Sequence, residues 1–318
     1  MDPDAARELK ARILERLPTA VEARSTAGER DAPWPWVAVG LGAGRTGARV
    51  AVRLQRDADR ALLPDLGRAA AEEVDVEVIG PVHALTSPTD LRRRTRPLRP
   101  GLSVAHEAVS AGTLGGFVRT PSGLAMLSNN HVLAASNSAF PGDAVRQPGP
   151  ADGGGSADRV ATLTAFQPMV AGVNLVDAAV ALLDADVPAT PGDLPGGPLL
   201  GAVPGSLDVD PDEAVEKVGR TTGHTRGRIT AVEVDGVAVQ YDEAVYRFDD
   251  QIEIEGRGGP FSAGGDSGSV IWRSRDRAPV ALLFAGSETG GSAGTGVTFA
   301  NPLATVLAVL GVEWCPDL

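Results

Sequence analysis

Three short segments of this 318-residue chain carry side chains that together can perform nucleophilic acyl transfer. Ser128-Asn129-Asn130-His131-Val132-Leu133-Ala134 sets a histidine just after an apolar run, where a turn can hold its ring at a surface cleft. Asn174-Leu175-Val176-Asp177, followed by the apolar run to Leu183, sets a carboxylate at the mouth of a strand, where burial can fix its orientation. Gly264-Gly265-Asp266-Ser267-Gly268-Ser269 sets a serine among glycines. A serine hydroxyl is a weak nucleophile until a base takes its proton, and imidazole serves as that base only when a third group holds it in one tautomer. The glycines meet a different need: a tight turn without Cβ atoms lets successive N–H groups point at one spot and stabilise an oxyanion. On this reading His131 is the base, Asp177 its orienting carboxylate, Ser267 the nucleophile, and the Gly265 and Ser267 amides the oxyanion donors. Each segment alone is equally an ordinary turn or strand; the ordered set carries the inference.

The elements that must position these residues are short strands. Glycine and proline together number 63 against 13 aromatic residues, so turns are frequent and the core relies on Val, Leu and Ala. From residue 111 onward, apolar runs such as 114–119, 125–128, 176–183, 228–234, 237–241, 269–272, 280–285 and 296–300 alternate with glycine turns, which predicts an all-β region. Residues 186–212, with six prolines and five glycines, suit a connector between two β halves. The front of the chain differs. Ala5, Leu9, Ile13 and Leu17 predict a helix over 4–17 that ends at Pro18. Residues 36–41, 48–55 and 74–82 read as strands and 58–73 as helical, so 1–95 is expected to be a small α/β module. Gly42-Ala43-Gly44-Arg45-Thr46-Gly47 matches a dinucleotide fingerprint in spelling, but Gly47 leads into a period-two strand and not a helix, so a hairpin turn is expected. Between Ser87 and Gly101, three prolines and five arginines predict a linker, with 96–109 as its end; a docking or self-cleavage site is the alternative there.

Composition excludes several classes. Residues 1–100 carry a net charge of +2 and the remainder −14, so a phosphate backbone would be repelled and nucleic acid is a poor partner. The longest apolar stretches, such as 303–312, are too short for a membrane span, which needs about 18 residues or more. The single cysteine, Cys315, excludes an intrachain disulfide and allows a reducing compartment; with no signal-like opening, a cytoplasmic location is expected. Four histidines and one cysteine show no metal-ligand spacing, and no cofactor is implied. His83, His106 and His224 read as structural or surface groups, with a place along the cleft as the alternative for His224, and Cys315 as non-catalytic.

The order His131, Asp177, Ser267, with the segments LSNNHVLA, VDAAVALL and GGDSGS, resembles the chymotrypsin-fold (trypsin-like) serine peptidases. Val218-Gly219-Arg220-Thr221-Thr222-Gly223-His224-Thr225-Arg226-Gly227 is similar to the second-barrel hairpin of the streptogrisin and α-lytic branch. With the front module, the chain resembles disulfide-free bacterial trypsin-like proteins and, more distantly, the plant narrow-leaf regulator. The resemblance covers residues 110–312 and implies a mainly β fold: two antiparallel six-stranded barrels, here within 110–318, preceded by the α/β module, with the cleft between the barrels. Protein or peptide substrates follow from it, and a regulatory partner through the front module is expected.

The chain departs from that family in three places. Ser269 replaces the commoner glycine. No Ile-Val-Gly-Gly-like terminus is present to pair with Asp266; the streptogrisin resemblance gives that role to Lys217, with Arg220 as the alternative. Six positions before Ser267, where trypsin-like enzymes carry a carboxylate, stands Phe261, which with Gly286 and Ser287 is expected to shape the substrate pocket. Apolar or small P1 side chains are therefore expected, with Glu288 as a carboxylate near the pocket wall, and the strand 282–286 is expected to pair with substrate backbone. A catalytically silent binding or scaffold protein on the same fold is the alternative to an enzyme.

Overall fold

A computed structural model describes residues 1–17, 37–44, 47–54, 57–65, 72–78, 88–241, 244–292 and 294–317. The chain divides into two compact units, Met1–Leu85 and Thr86–Leu318. In the first, helix α1 (Pro3–Arg16) starts at Asp2, whose side chain accepts the Asp4 N–H, and buries Ala6, Leu9 and Ile13. Its face packs with Val50, Val52 and Leu54 in one core cluster. Strands β1 (Val37–Gly44) and β2 (Gly47–Leu54) pair antiparallel, and β3 (Val74–Val78) lies parallel to β2. The glycine motif thus joins two strands, as its hairpin reading requires. The helix expected over 58–73 is, in its described part, a 3-10 turn at Asp57–Leu62. His83 and residues 79–82 of the expected third strand lie outside the described residues.

The second unit is built from β4 (Ser103–His106), β5 (Gly112–Thr113), β6 (Gly116–Thr120), β7 (Gly123–Ser128), β8 (Ala144–Arg146), β9 (Arg159–Phe166), β10 (Val173–Asn174), β11 (Ala179–Leu183), β12 (Ala214–Gly219), β13 (Gly223–Val234), β14 (Val237–Gln240), β15 (Val245–Phe248), β16 (Gln251–Gly256), β17 (Val270–Arg273), β18 (Pro279–Gly286), β19 (Thr298–Pro302) and β20 (Glu313–Cys315), with short helices α2 (Asn130–Leu133) and α3 (Leu303–Leu310). The second half closes as a six-stranded barrel in the order β12-β13-β16-β19-β18-β17. The first half is an eight-stranded sheet, β20-β6-β7-β11-β9-β8-β4-β5, and not the closed six-stranded ladder expected. Its β5 end nevertheless returns to β6, because β5 and β6 are consecutive pieces of one stretch. Between them Leu114 bonds outward, its N–H to Leu102 O at 2.8 Å and its carbonyl to Gly101 N at 2.8 Å. The chain's last strand, β20, takes the free edge of β6. A third, small sheet, β10-β15-β14, links the two halves.

Residues 96–109, expected as the end of a linker, instead belong to the second unit, and the boundary falls after Leu85. Leu98, Leu102 and Val104 are fully buried, Leu98 exchanges backbone bonds with Pro188 and Thr190, and 103–106 is a barrel strand. Two of the arginines that give the stretch its linker composition reach carboxylates at the surface, Arg94 to Asp158 and Arg99 to Asp193, while Leu98 between them turns inward. Cleavage here would first require this packed segment to detach. No helix among the described residues is long and apolar enough to cross a membrane.

Candidate active site

The register of two strands sets the first pair of site residues. Ser128, the last residue of β7, lies opposite Ala179, the first of β11. The residues just beyond that rung, His131 on α2 and Asp177 ahead of β11, therefore meet. His131 Nδ1 lies 2.5 Å from Asp177 Oδ2, and the His131 backbone N–H donates to Asp177 Oδ1 at 3.2 Å. Asp177 is fully buried and the imidazole about one-fifth exposed. Facing a carboxylate, Nδ1 carries the ring proton, which leaves Nε2 as a free base. The paired asparagines before His131 fix the turn: Asn129 Nδ2 donates to Asp177 O at 2.7 Å, and Asn130 Nδ2 donates to Gln167 O and to Asn137 Oδ1.

The second half of the unit reaches the same residue. Asn301 Oδ1 accepts the Asp177 N–H at 3.0 Å, Gln251 Oε1 accepts from Asn301 Nδ2 at 2.6 Å, and Gln251 Nε2 donates to Leu175 O. The Tyr241 hydroxyl donates to Asp177 Oδ2 at 2.8 Å. Neither Tyr241 nor Asn301 was expected at the site. Tyr241 ends a run that reads as a plain strand, and nothing in its local sequence marks a contact with a residue 64 positions away. Burial first, then the Asp177 charge, pushes the Tyr241 phenol far above the ordinary tyrosine range. The chain has two tyrosines, so a Tyr246→Phe variant isolates it. Its alkaline absorbance titration is expected to show no phenolate until the fold is lost. Because the folded form holds this proton more tightly than the unfolded one, stability falls as pH rises above about 10. A phenolate forming near pH 10 in the folded variant contradicts this.

Ser267 sits on a turn that packs against the first barrel. Thr113 N donates to Ser267 O at 2.8 Å, and a Cβ on Gly268, whose φ is +95°, would stand 2.1 Å from Ser128 Oγ. Only glycine fits that approach. Asp266, fully buried, is held by five donors: Thr221 N, Thr222 N, Thr222 Oγ1, Ala263 N and Lys217 Nζ, the last at 3.1 Å. Lys217 is itself fully buried. Burial pushes its ammonium below the usual lysine range, and the Asp266 charge opposes that. Arg220, the alternative partner, pairs instead with Asp152, its Nε–H donating at 2.9 Å. Among the described residues, neither the Gly265 nor the Ser267 amide donates a hydrogen bond within the protein. The Ser267 hydroxyl donates to Phe284 O at 3.4 Å and forms no hydrogen bond with His131.

Phe261, expected to line the substrate pocket, is 2% exposed and belongs to the second barrel's core cluster with Ile229, Ile254 and Ile271. Its ring fills the space that Gly227 leaves open, since a Cβ there would lie 2.7 Å from Phe261 Cδ2, and the Lys217 ammonium stands 5.8 Å from its centroid. The aromatic ring thus serves the barrel interior. Gly286 and Ser287 are exposed at the end of β18, and Glu288 beyond them is exposed as well. His106 contacts Asp143 and accepts from Ala108 N; His224 stacks on Trp272 and contacts Glu216 at 2.6 Å. Cys315 is buried in β20.

The second-unit architecture is mainly β, a closed six-stranded barrel beside an eight-stranded companion sheet. No protein-family model and no curated protein matches the chain. Among solved structures it is similar to bacterial chymotrypsin-fold serine proteases. Thermobifida fusca protease A is 16% identical with a TM-score of 0.48, covering 69% of this chain and 100% of that one. Cellulomonas bogoriensis chymotrypsin is 19% identical at a TM-score of 0.46, with the same coverages. A glutamic-acid-specific serine protease that uses a histidine triad in substrate binding is 17% identical at 0.49, again over 69% and 100%.

Proposed function

We propose that the chain is a serine endopeptidase. The observation that carries this is the His131–Asp177 pair, which leaves Nε2 as a base in the same unit as a glycine-framed serine beside two unpaired amides. For attack, the Ser267 hydroxyl turns from Phe284 O to His131 Nε2. As Oγ bonds to the scissile carbonyl carbon, its proton passes to Nε2, Asp177 stabilises the imidazolium, and the Gly265 and Ser267 amides receive the carbonyl oxygen as it becomes an oxyanion. The imidazolium then protonates the leaving amine, the C–N bond breaks, and an acyl-Ser267 ester remains. Water attacks this ester by the same route, with His131 taking and returning its proton.

The preference for apolar or small P1 residues stays part of this proposal: a phenylalanine occupies the position at which a basic P1 residue finds its carboxylate partner, whichever way its ring points. A reducing, cytoplasmic setting is consistent with the single cysteine. Control of access or recruitment of partners is the role proposed for the front unit.

The Ser267–Phe284 hydrogen bond favours one second reading, a catalytically silent binding protein that keeps the fold. A fluorophosphonate probe decides between them. Covalent labelling of Ser267 in the full chain, lost in His131→Ala, is expected of the peptidase. An unlabelled Ser267 across pH 6 to 9, while the protein is folded, supports the silent scaffold.

A further inference from the structure

We propose that Tyr241 is a positioning residue for the hydrolytic pair, its phenol holding Asp177 in the orientation that receives the His131 ring; this rests on the peptidase reading above. Three donors reach the Asp177 carboxylate among the described residues: His131 Nδ1 and Tyr241 Oη, both on Oδ2, and the His131 backbone N–H on Oδ1. Two of the three belong to His131 itself. Tyr241 is thus the one group that fixes the carboxylate from outside the pair it must align.

The phenol is held in turn. Its ring meets His131 edge-on with centroids 5.6 Å apart, and it packs edge-on against Tyr246 and tilted against Phe248. Phe248 lies 4.7 Å from Phe284, whose carbonyl holds Ser267 and whose apolar side chain offers no hydroxyl to Asp177. The β14–β15 hairpin that bears Tyr241 and Tyr246 is tied to the loop that bears Asp177. Asn174 Nδ2 donates to Arg247 O at 3.1 Å and Asp249 N donates to Asn174 O at 3.0 Å, three residues ahead of Asp177. Tyr241 and Asp177 therefore share one anchor, although they come from different halves of the unit. Packing alone does not need the hydroxyl, since a phenylalanine fills the same aromatic cluster; the oxygen's contact is the carboxylate.

The test compares Tyr241→Phe with Tyr246→Phe in the full chain. Two readouts are used: steady-state kinetics on a peptide substrate, and the NMR resonance of the proton bridging His131 Nδ1 and Asp177, identified by its loss in His131→Ala. Tyr241→Phe is expected to lower kcat about 10-fold with KM unchanged, the size typical of removing a partner that orients an active group, and to shift or broaden the bridging-proton resonance. Tyr246→Phe, which touches the same ring but not the carboxylate, is expected to leave both readouts as in the parent protein. The proposal is overturned if Tyr241→Phe keeps the parent resonance, if it changes KM alone, or if the two variants behave alike. If the parent chain neither hydrolyses peptides nor takes the phosphonate, the peptidase reading fails, and the resonance comparison still reports whether the phenol positions the pair.

Discussion

Asp177→Asn is expected to lower kcat by about 10⁴ while leaving the fold and KM nearly unchanged. The present carboxylate only accepts, from His131 Nδ1–H and Tyr241 Oη–H on one oxygen and from the His131 backbone N–H on the other. An asparagine must place an NH₂ at one of those positions. With the NH₂ in place of Oδ1, it confronts the His131 backbone donor, and two donors face each other in a buried site. With the NH₂ in place of Oδ2, the amide oxygen accepts the backbone N–H and the NH₂ donates to Nδ1 and to the Tyr241 oxygen, at the cost of turning the phenol's own proton away. The second arrangement is the more stable, and it forces the ring proton onto Nε2, where the base must be free. Kinetics on a peptide substrate check this, and an asparagine variant within about 10-fold of the parent kcat would show that Asp177 does not set the tautomer.

The other large effect is expected at Lys217. Lys217→Met keeps the length of a fully buried side chain but removes the charge opposite a fully buried Asp266. Four neutral donors remain on that carboxylate, from Thr221, Thr222 twice and Ala263, without a counter-charge. Breaking a buried pair by deleting one partner costs about 3–5 kcal/mol, which is expected as a lowered urea midpoint. Asp266 immediately precedes Ser267, so the turn that aims the Gly265 and Ser267 amides loosens, with a loss in kcat of about 10²–10³. The double variant Lys217→Met/Asp266→Asn is expected to recover only part of the stability, because the unpaired charge is gone but the new NH₂ faces a backbone donor such as Ala263 N–H, and not to recover the rate. A single Lys217→Met variant with the parent's urea midpoint and kcat would remove Lys217 from this role. Arg220 offers no substitute, since its guanidinium is committed to Asp152.

The site was legible to different depths. His131, Asp177 and Ser267 stand out because each sits in a short segment whose own residues serve it: the asparagines that pin the His131 turn, the strand that buries Asp177, the glycines that allow the Ser267 turn to approach Ser128. The Lys217–Asp266 pairing followed from the resemblance and not from any pattern of charge. Phe261 was placed by counting back from Ser267, and counting fixes a position along the chain but not the side to which a ring turns. The arginine- and proline-rich stretch differs from its linker reading for a related reason: composition averages over residues, and the burial of Leu98 between arginines depends on a partner segment, Pro188 to Thr190, far along the chain.

What the sequence by itself determined, then, is the β character of the second unit, and it also named the groups proposed for the chemistry, because strand periodicity and turn glycines are properties of a few adjacent residues. What only the tertiary structure decided is which distant groups close on them: Tyr241 and Asn301 on Asp177, Phe284 O on the Ser267 hydroxyl, and β20 on the edge of β6. Those contacts join residues tens to nearly two hundred positions apart, and their geometry is set by barrel closure and by the burial of polar groups that must each find a partner, conditions that act on the folded chain as a whole.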